Sequence, residues 1–491
     1  MKDRILFASC NSQHYNHTMW PVMESRQAAA LVWAGDAVYG DDFQRTGRFT
    51  KESKMATPEI LHDLYQTLLK DPGYTSLRKN LTTVIGTIDD HDYGINNGDR
   101  DYPYRKEAGI AFVDFLQHEN DVDLSLMRQR AAAGKGIYGV KVFDFAADRV
   151  LTDREAGIDP ESGVESSRLS DQSVAVFTLD VRSNKTPWKK DYRKHIRDYE
   201  ADFLGEEQWE WLEEALSRST ATVNIIVNGL QVHADRFYDG NLVENWSEFP
   251  RAQHRLYQAI FDSGVSSPIL VSGDVHMSEM MRKDCQKLGA PEDARRMLLE
   301  VTTSGLTHSW GTHTCARPNT GKACNNVYIQ KSLGVGMHVA HVNRMWKDLL
   351  DMEPAEEGAK AGLQYSLELN FAEFDFDWES RAVQIRILGE DSKLLMSNRW
   401  DFDLLSGVRA PEPSGGLQSS HFDDLYRKFS SHELGTPFDY YCMPYRGPQS
   451  PAETIFGVIS AITVAGCLLI LPMVLPLVVY RMATRRKVKS V

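Results

Sequence analysis

Short apolar runs recur along the chain, each bounded by turn residues: Arg4–Ser9, Ala29–Ala34, Thr82–Ile88, Val174–Leu179, Thr222–Val227, Ile269–Ser272 and Leu298–Thr303. Their length and β-branched content predict buried strands. Between several of them, Glu107–His118 and Glu206–Leu216 carry apolar residues at helical spacing with acids toward the start, and Arg251–Phe261 is a third such stretch. Two-residue alternation follows in Tyr365–Phe376 and Ala382–Leu388, ending near Trp400–Leu405. Strands interleaved with helices predict an α/β fold, one domain over residues 1–405 with central sheets and flanking helices. Residues 406–454, which include Pro411–Gly416 and Arg446–Pro451, read as a stalk.

The pattern then changes. Ile455 to Tyr480 is a run of 26 residues without a charged side chain. At about 1.5 Å per residue a helix of that length covers the roughly 30 Å hydrocarbon core of a bilayer. The tail at 481–491 holds Arg481, Arg485, Arg486, Lys487 and Lys489. The expectation is a single-pass membrane protein with a cytoplasmic basic tail and residues 1–454 lumenal or extracellular. Sequons at Asn16, Asn80, Asn184 and Asn245, and a pair formed by Cys315 and Cys324, would suit that side. Met1-Lys2-Asp3-Arg4 leads straight into a strand, with no leader visible. Either a signal lies upstream or the chain is tail-anchored with a cytosolic domain; both remain open.

Composition adds exclusions. With 42% apolar and 10% aromatic residues, the chain is neither disordered nor low-complexity. Ahead of the tail, 50 basic residues face 68 acidic ones. That makes nucleic acid a poor partner and cations a good one. Six cysteines are too few for a disulfide scaffold.

Chemistry concentrates where strands end, which is where α/β sheets gather ligands. The first run ends in Ser9-Cys10-Asn11, the second in Gly35-Asp36-Ala37-Val38-Tyr39, the third in Asp89-Asp90-His91-Asp92-Tyr93-Gly94-Ile95-Asn96, and a later one in Ser272-Gly273-Asp274-Val275-His276. Carboxylates crowded on one rim need counter-charge, and metal ions supply it. Cys10 and Tyr39 suit iron, the carboxylates and Asn96 suit harder cations, and Asp36 could bridge two ions.

These four motifs, in this order, resemble PhoD-like alkaline phosphatases, within the calcineurin-like and purple-acid-phosphatase-type metallophosphoesterases. Further matches are Leu179–Arg182, Phe203–Leu212, Glu244–Pro250 and Thr303–Trp310. The resemblance spans roughly residues 4–400. It implies a four-layer αββα sandwich, a phosphate-ester substrate, and two or more metal ions, iron plus calcium, with zinc or manganese as alternatives. Carried over by motif, Cys10, Asp36, Tyr39 and His276 hold the iron-type ion. Asp36, Asp90, Asp274 and Asn96 hold the second, and His91 is the general acid. Arg182 reads either as a phosphate contact or as a structural partner of Asp180. At Gln231-Val232-His233-Ala234 the chain departs from the family's usual stretch; His233 reads as an extra ligand, a substrate contact or an ordinary polar loop residue. His338 and His341, at i and i+3 within the amphipathic Val335–Leu350, read as surface or core residues.

The expected activity is hydrolysis of phosphate mono- or diesters by a metal-activated water. Rival readings are a membrane-tethered binding or adhesion protein on a degenerate phosphatase fold, and a metal-dependent hydrolase of another bond.

Overall fold

The computed structural model describes residues 2–45, 51–117, 124–151, 153–191, 194–235, 244–312, 315, 326–342, 346–412, 416–430, 438–448, 450, 452–453 and 455–470. Two mixed sheets dominate it. The six-stranded sheet runs in the order Leu394–Asp401, Ala382–Leu388, Phe371–Asp377, Arg4–Ala8 (β1), Ala30–Ala34 (β2), Thr83–Thr87 (β3). β1 lies parallel to β2 and antiparallel to Phe371–Asp377, and β2 is parallel to β3. In the nine-stranded sheet Ser173–Thr178, Val223–Val227, Pro268–Ser272 (β4) and Arg296–Thr303 form a parallel core. Antiparallel strands flank it, among them Gly139–Asp144 and Ser278–Lys287.

Central strands are mostly apolar because both of their faces are covered. Ile5, Phe7, Val32, Val174, Val176, Ile225, Ile269 and Val271 meet in one cluster between the sheets. Their neighbours face outward. Leu6, Leu31 and Trp33 pack on the helices Pro58–Leu69, Pro72–Asn80 and Arg105–Leu116 through Leu61, Tyr65, Tyr74 and Phe112. Ala175, Phe177, Ile226 and Leu270 pack on Glu206–Arg218 and Pro250–Asp262 through Trp209, Leu212, Leu256 and Ile260. The order across the molecule is helix, sheet, sheet, helix.

Two expectations change. Tyr365–Phe376 is not one strand: Tyr365–Ser366 joins the nine-stranded sheet and Phe371–Asp377 the six-stranded one. The crossing is held by Asn370, whose amide donates to the carbonyls of Glu368 and Ser304. The supposed stalk contains the helix Ser419–Ser430 and an edge strand, Tyr440–Pro444, paired with Ser278–Lys287 and tied to it by a Cys285–Cys442 disulfide. Cys315 is also disulfide-bonded, while Cys324 lies outside the described residues. Helical backbone runs over 455–470, and 471–491 lie outside the described residues. No helix among the described residues is long and apolar enough to cross a membrane.

Candidate metal centre

β1, β2, β3 and β4 end on one rim, and close backbone approach makes the junction. A Cβ on Gly273 would collide with the Ala34 carbonyl and the Ser9 hydroxyl, and one on Gly35 with the Asp89 side chain. The turns leaving these strands are tight. Cys10, Asp36, Asp274 and His276 all have left-handed backbones, φ 60°, 54°, 69° and 53°. They are four of only eleven such non-glycine residues among those described. Conformations of that kind cost of order 1–3 kcal/mol each and persist where surrounding structure over-determines them.

The side chains converge in two groups. In the first, Cys10 Sγ lies 3.5 Å and Tyr39 Oη 3.2 Å from Asp36 Oδ2. Tyr39 Oη is also 3.3 Å from His276 Nε2 and 3.1 Å from His308 Nε2, and those two nitrogens are 3.1 Å apart. In the second, carboxylate oxygens of Asp89, Asp90 and Asp274 lie within 4.8 Å of one another. Asp36, Asp90 and His91 form an overlapping trio at the same spacing, so Asp36 and Asp90 link the groups.

Electrostatics sharpens the picture. Burial pushes the Asp36 and Asp274 carboxyls well above the usual range, and neighbouring acids add to it. Asp89 is pushed up to about 7 by burial, against the pull of Arg182. Burial and Asp36 likewise raise the Cys10 thiol and the Tyr39 phenol. His276 is pushed down to about 4 by burial and by His91, which leaves a neutral imidazole fit to act as a ligand. Asp89 Oδ2 and Asp90 Oδ1 are buried without a hydrogen-bond partner in the protein. Orphaned carboxylate oxygens beside a thiol, a phenol and neutral imidazoles fit metal ions, because a cation satisfies all of them together.

His91 is placed differently. Its ring stacks on Tyr39 at 4.0 Å, and its Nδ1 lies 2.5 Å from Asp41 Oδ1. Nε2 is 3.9 Å from Asp90 Oδ1. Burial alone would lower its pKa, but Asp90, Asp36 and Asp41 outweigh it and hold the imidazolium. Asn96 sits on the adjoining loop, its backbone N–H donating to Asp41 Oδ2, while the N–H of Asn97 donates to Asp90 Oδ2.

Arg182 is fully buried, and its guanidinium meets Asp89 and Glu244 rather than the carboxylate of Asp180, which accepts only its backbone N–H. His233 lies away from the rim, its Nε2 against the Leu298 carbonyl and its Nδ1 3.2 Å from the Tyr257 hydroxyl; it is a loop residue, as one of the readings had it, but a buried and hydrogen-bonded one. Sequence reasoning passed over three residues. In the sequence Asp89 stands out only as part of its motif and His308 only as part of Thr303–Trp310. Asp41 follows Tyr39 by two positions and carried no signal of its own.

A family model described as PhoD-like phosphatase matches residues 171–338. Among solved structures the chain is similar to PhoD, with 13% identity and a TM-score of 0.52 over 94% of this chain and 77% of that one. A weaker likeness is to GAP50, the anchor in the inner membrane complex of Plasmodium, at 10% identity and a TM-score of 0.37 over 82% of this chain and 90% of that one; it is too low to bear on function. No curated protein matches. The family match takes in β4 with Asp274, His276 and His308, and the structural match extends the shared α/β fold to the strands that deliver Cys10, Asp36 and Asp90; over residues 171–338 the chain is similar to the PhoD-like phosphatases, a family of phosphoric ester hydrolases.

Proposed function

We propose that the chain is a membrane-anchored phosphatase that hydrolyses phosphate mono- or diesters with two or more metal ions, iron plus calcium. The observation that carries this reading is the pair of orphaned, buried carboxylate oxygens on Asp89 and Asp90, beside a thiol–phenol–imidazole group. Cys10, Asp36, Tyr39 and His276 would hold the softer ion, and Asp36, Asp90, Asp274 and Asn96 the harder one, with Asp89 and His308 next to them. When bound, the ions neutralise the crowded acids and supply Lewis acidity to the phosphoryl group. The rest falls to the protein. His91, held by Asp41 on Nδ1, offers a proton from Nε2 to the leaving oxygen. Arg182 and Lys185 neutralise Glu244 and Asp89 beneath the rim, which keeps the aspartates in place.

The test is Asp36→Asn in the full chain. Turnover of aryl phosphate should fall to the detection limit and bound metal should drop, with the circular dichroism unchanged. A fully active, metal-free Asp36→Asn protein would sink the reading.

For location we propose that 455–480 is the anchor, the basic tail is cytoplasmic and the catalytic domain lies on the other side. The Cys285–Cys442 disulfide supports this, because structural disulfides persist in oxidising compartments.

A further inference from the structure

The helix Val327–Val342 is built inside out. Its buried residues are Ser332, Gly334, Gly336, Ala340 and His341. Its large apolar residues face outward: Tyr328, Ile329, Leu333, Val335 and Val342 are between 38% and 65% exposed. Small residues inward and large apolar ones outward is the pattern of a helix whose surroundings are lipid. Its neighbour repeats the feature. Ile455, Phe456, Ile459, Ile462, Leu468, Leu469 and Ile470 are exposed on the helical 455–470 segment. Together these two helices hold twelve of the nineteen exposed large apolar residues among those described. They touch directly: a Cβ on Gly336 would lie 3.2 Å from Ala465 Cβ, and Val458 and Ala461 pack in the cluster that contains Ala340. In sequence the uncharged run continues to Tyr480 before the basic tail, the length and composition of a membrane segment.

The other side of the Val327 helix holds the catalytic rim. The Gln330 amide donates to the carbonyls of Ser309 and Trp310. Gly334 lets the Trp310 carbonyl come within 2.9 Å of where a Cβ would stand. The Trp310 N–H in turn donates to the His276 carbonyl.

We infer that Val327–Val342 is a second membrane contact, lying in the lipid interface beside the anchor and seating the catalytic rim on the bilayer, so that the enzyme acts on phosphate esters presented at a membrane surface. The substrate half of this statement rests on the phosphatase reading. One exposed lysine, Lys331, and no acid on the helix suit an anionic lipid surface.

The test uses the full chain in nanodiscs of phosphatidylcholine and phosphatidylglycerol, with a nitroxide on Leu333→Cys in a Cys467→Ser background. A second sample carries the label on native Cys467, and a third on Glu210→Cys as a water-facing control. Soluble aryl phosphate hydrolysis should be unchanged in all three. The label at 333 should collide with oxygen far more than with a water-soluble nickel chelate, as at 467 and unlike 210. Lipid exposure at 467 with water exposure at 333 overturns this inference while the anchor stands; water exposure at both overturns the anchor as well. A label at 333 shielded from both reagents means a protein partner or second copy covers the face, which also overturns it. In the same discs, the double variant Leu333→Glu, Val335→Glu should lose at least about tenfold on a lipid-borne phosphate ester while keeping its aryl phosphate rate. Equal rates on both esters overturn the substrate half, and no aryl phosphate activity in the parent protein fails the phosphatase reading instead.

Discussion

His91 and Asp41 face each other at 2.5 Å, and that contact fixes which imidazole nitrogen is free. With Nδ1 engaged, Nε2 carries the transferable proton. His91→Ala should therefore lower kcat by about 10²–10⁴-fold for esters with poor leaving groups and far less for activated aryl phosphates. Equal losses on both, measured over a leaving-group series, would remove His91 from proton transfer. Elsewhere, Glu300 is fully buried and accepts from Ser272 and from the N–H groups of Val232 and His233. Burial nonetheless lifts its pKa from 4.5 to about 7. A carboxyl whose folded pKa is raised favours folding while protonated. Its contribution is complete below pH 4.5 and is lost as pH climbs through 7, a swing of about 3 kcal/mol. Glu300→Gln should be less stable overall, since its amide gives up an acceptor. Its denaturant midpoint should also lack the wild-type fall between about pH 4.5 and 7.

At the scale of elements, the edge strand Tyr440–Pro444 shows what a disulfide adds. Cys285 and Cys442 stand opposite each other in register, 157 residues apart in sequence. Cys285→Ser should destabilise the domain by about 2–4 kcal/mol. Thermal unfolding with and without reductant checks this: reductant should lower the wild-type Tm toward that of the variant. The pairing was illegible in the sequence, because two cysteines so far apart carry no local pattern and five residues make a weak strand signal. Ser278–Lys287 was missed for a related reason. Glu279, Lys283 and Asp284 interrupt its apolar alternation, yet all three are buried, and Glu279 meets His341 at 2.8 Å. By contrast, β1, β2, β3 and β4 were legible to within one residue at each end. Burial on both faces makes such strands apolar at most positions, and the acids that follow them mark the ends. That is also why Cys10, Asp36, Asp90 and Asp274 could be read together, while Asp41 and the true partners of Arg182 depend on contacts between distant segments.

For the whole molecule, the sequons separate the two topologies. Asn16 and Asn80 are exposed, whereas Asn245 is 2% exposed and its side chain accepts from the Ser247 N–H and hydroxyl. If the domain lies outside the cytosol, glycosidase treatment should shift the mobility of wild type more than that of an Asn16→Gln, Asn80→Gln double variant, and any shift left in the variant falls to Asn184. An unglycosylated domain, digested by protease from the cytosolic face of sealed vesicles, would establish the tail-anchored arrangement instead.

The placement of β1 between β2 and Phe371–Asp377 also sets a timetable for synthesis. The opening strand leaves the ribosome first, but one of its two neighbours is translated more than 360 residues later. At roughly 5–20 residues per second that is a wait of tens of seconds. Through that interval the nascent chain exposes an apolar strand edge that nothing yet translated can cover. Growing chains should therefore depend on holding chaperones until the last strands emerge, and premature stop codons before residue 371 should yield aggregates or degraded fragments rather than a smaller working domain.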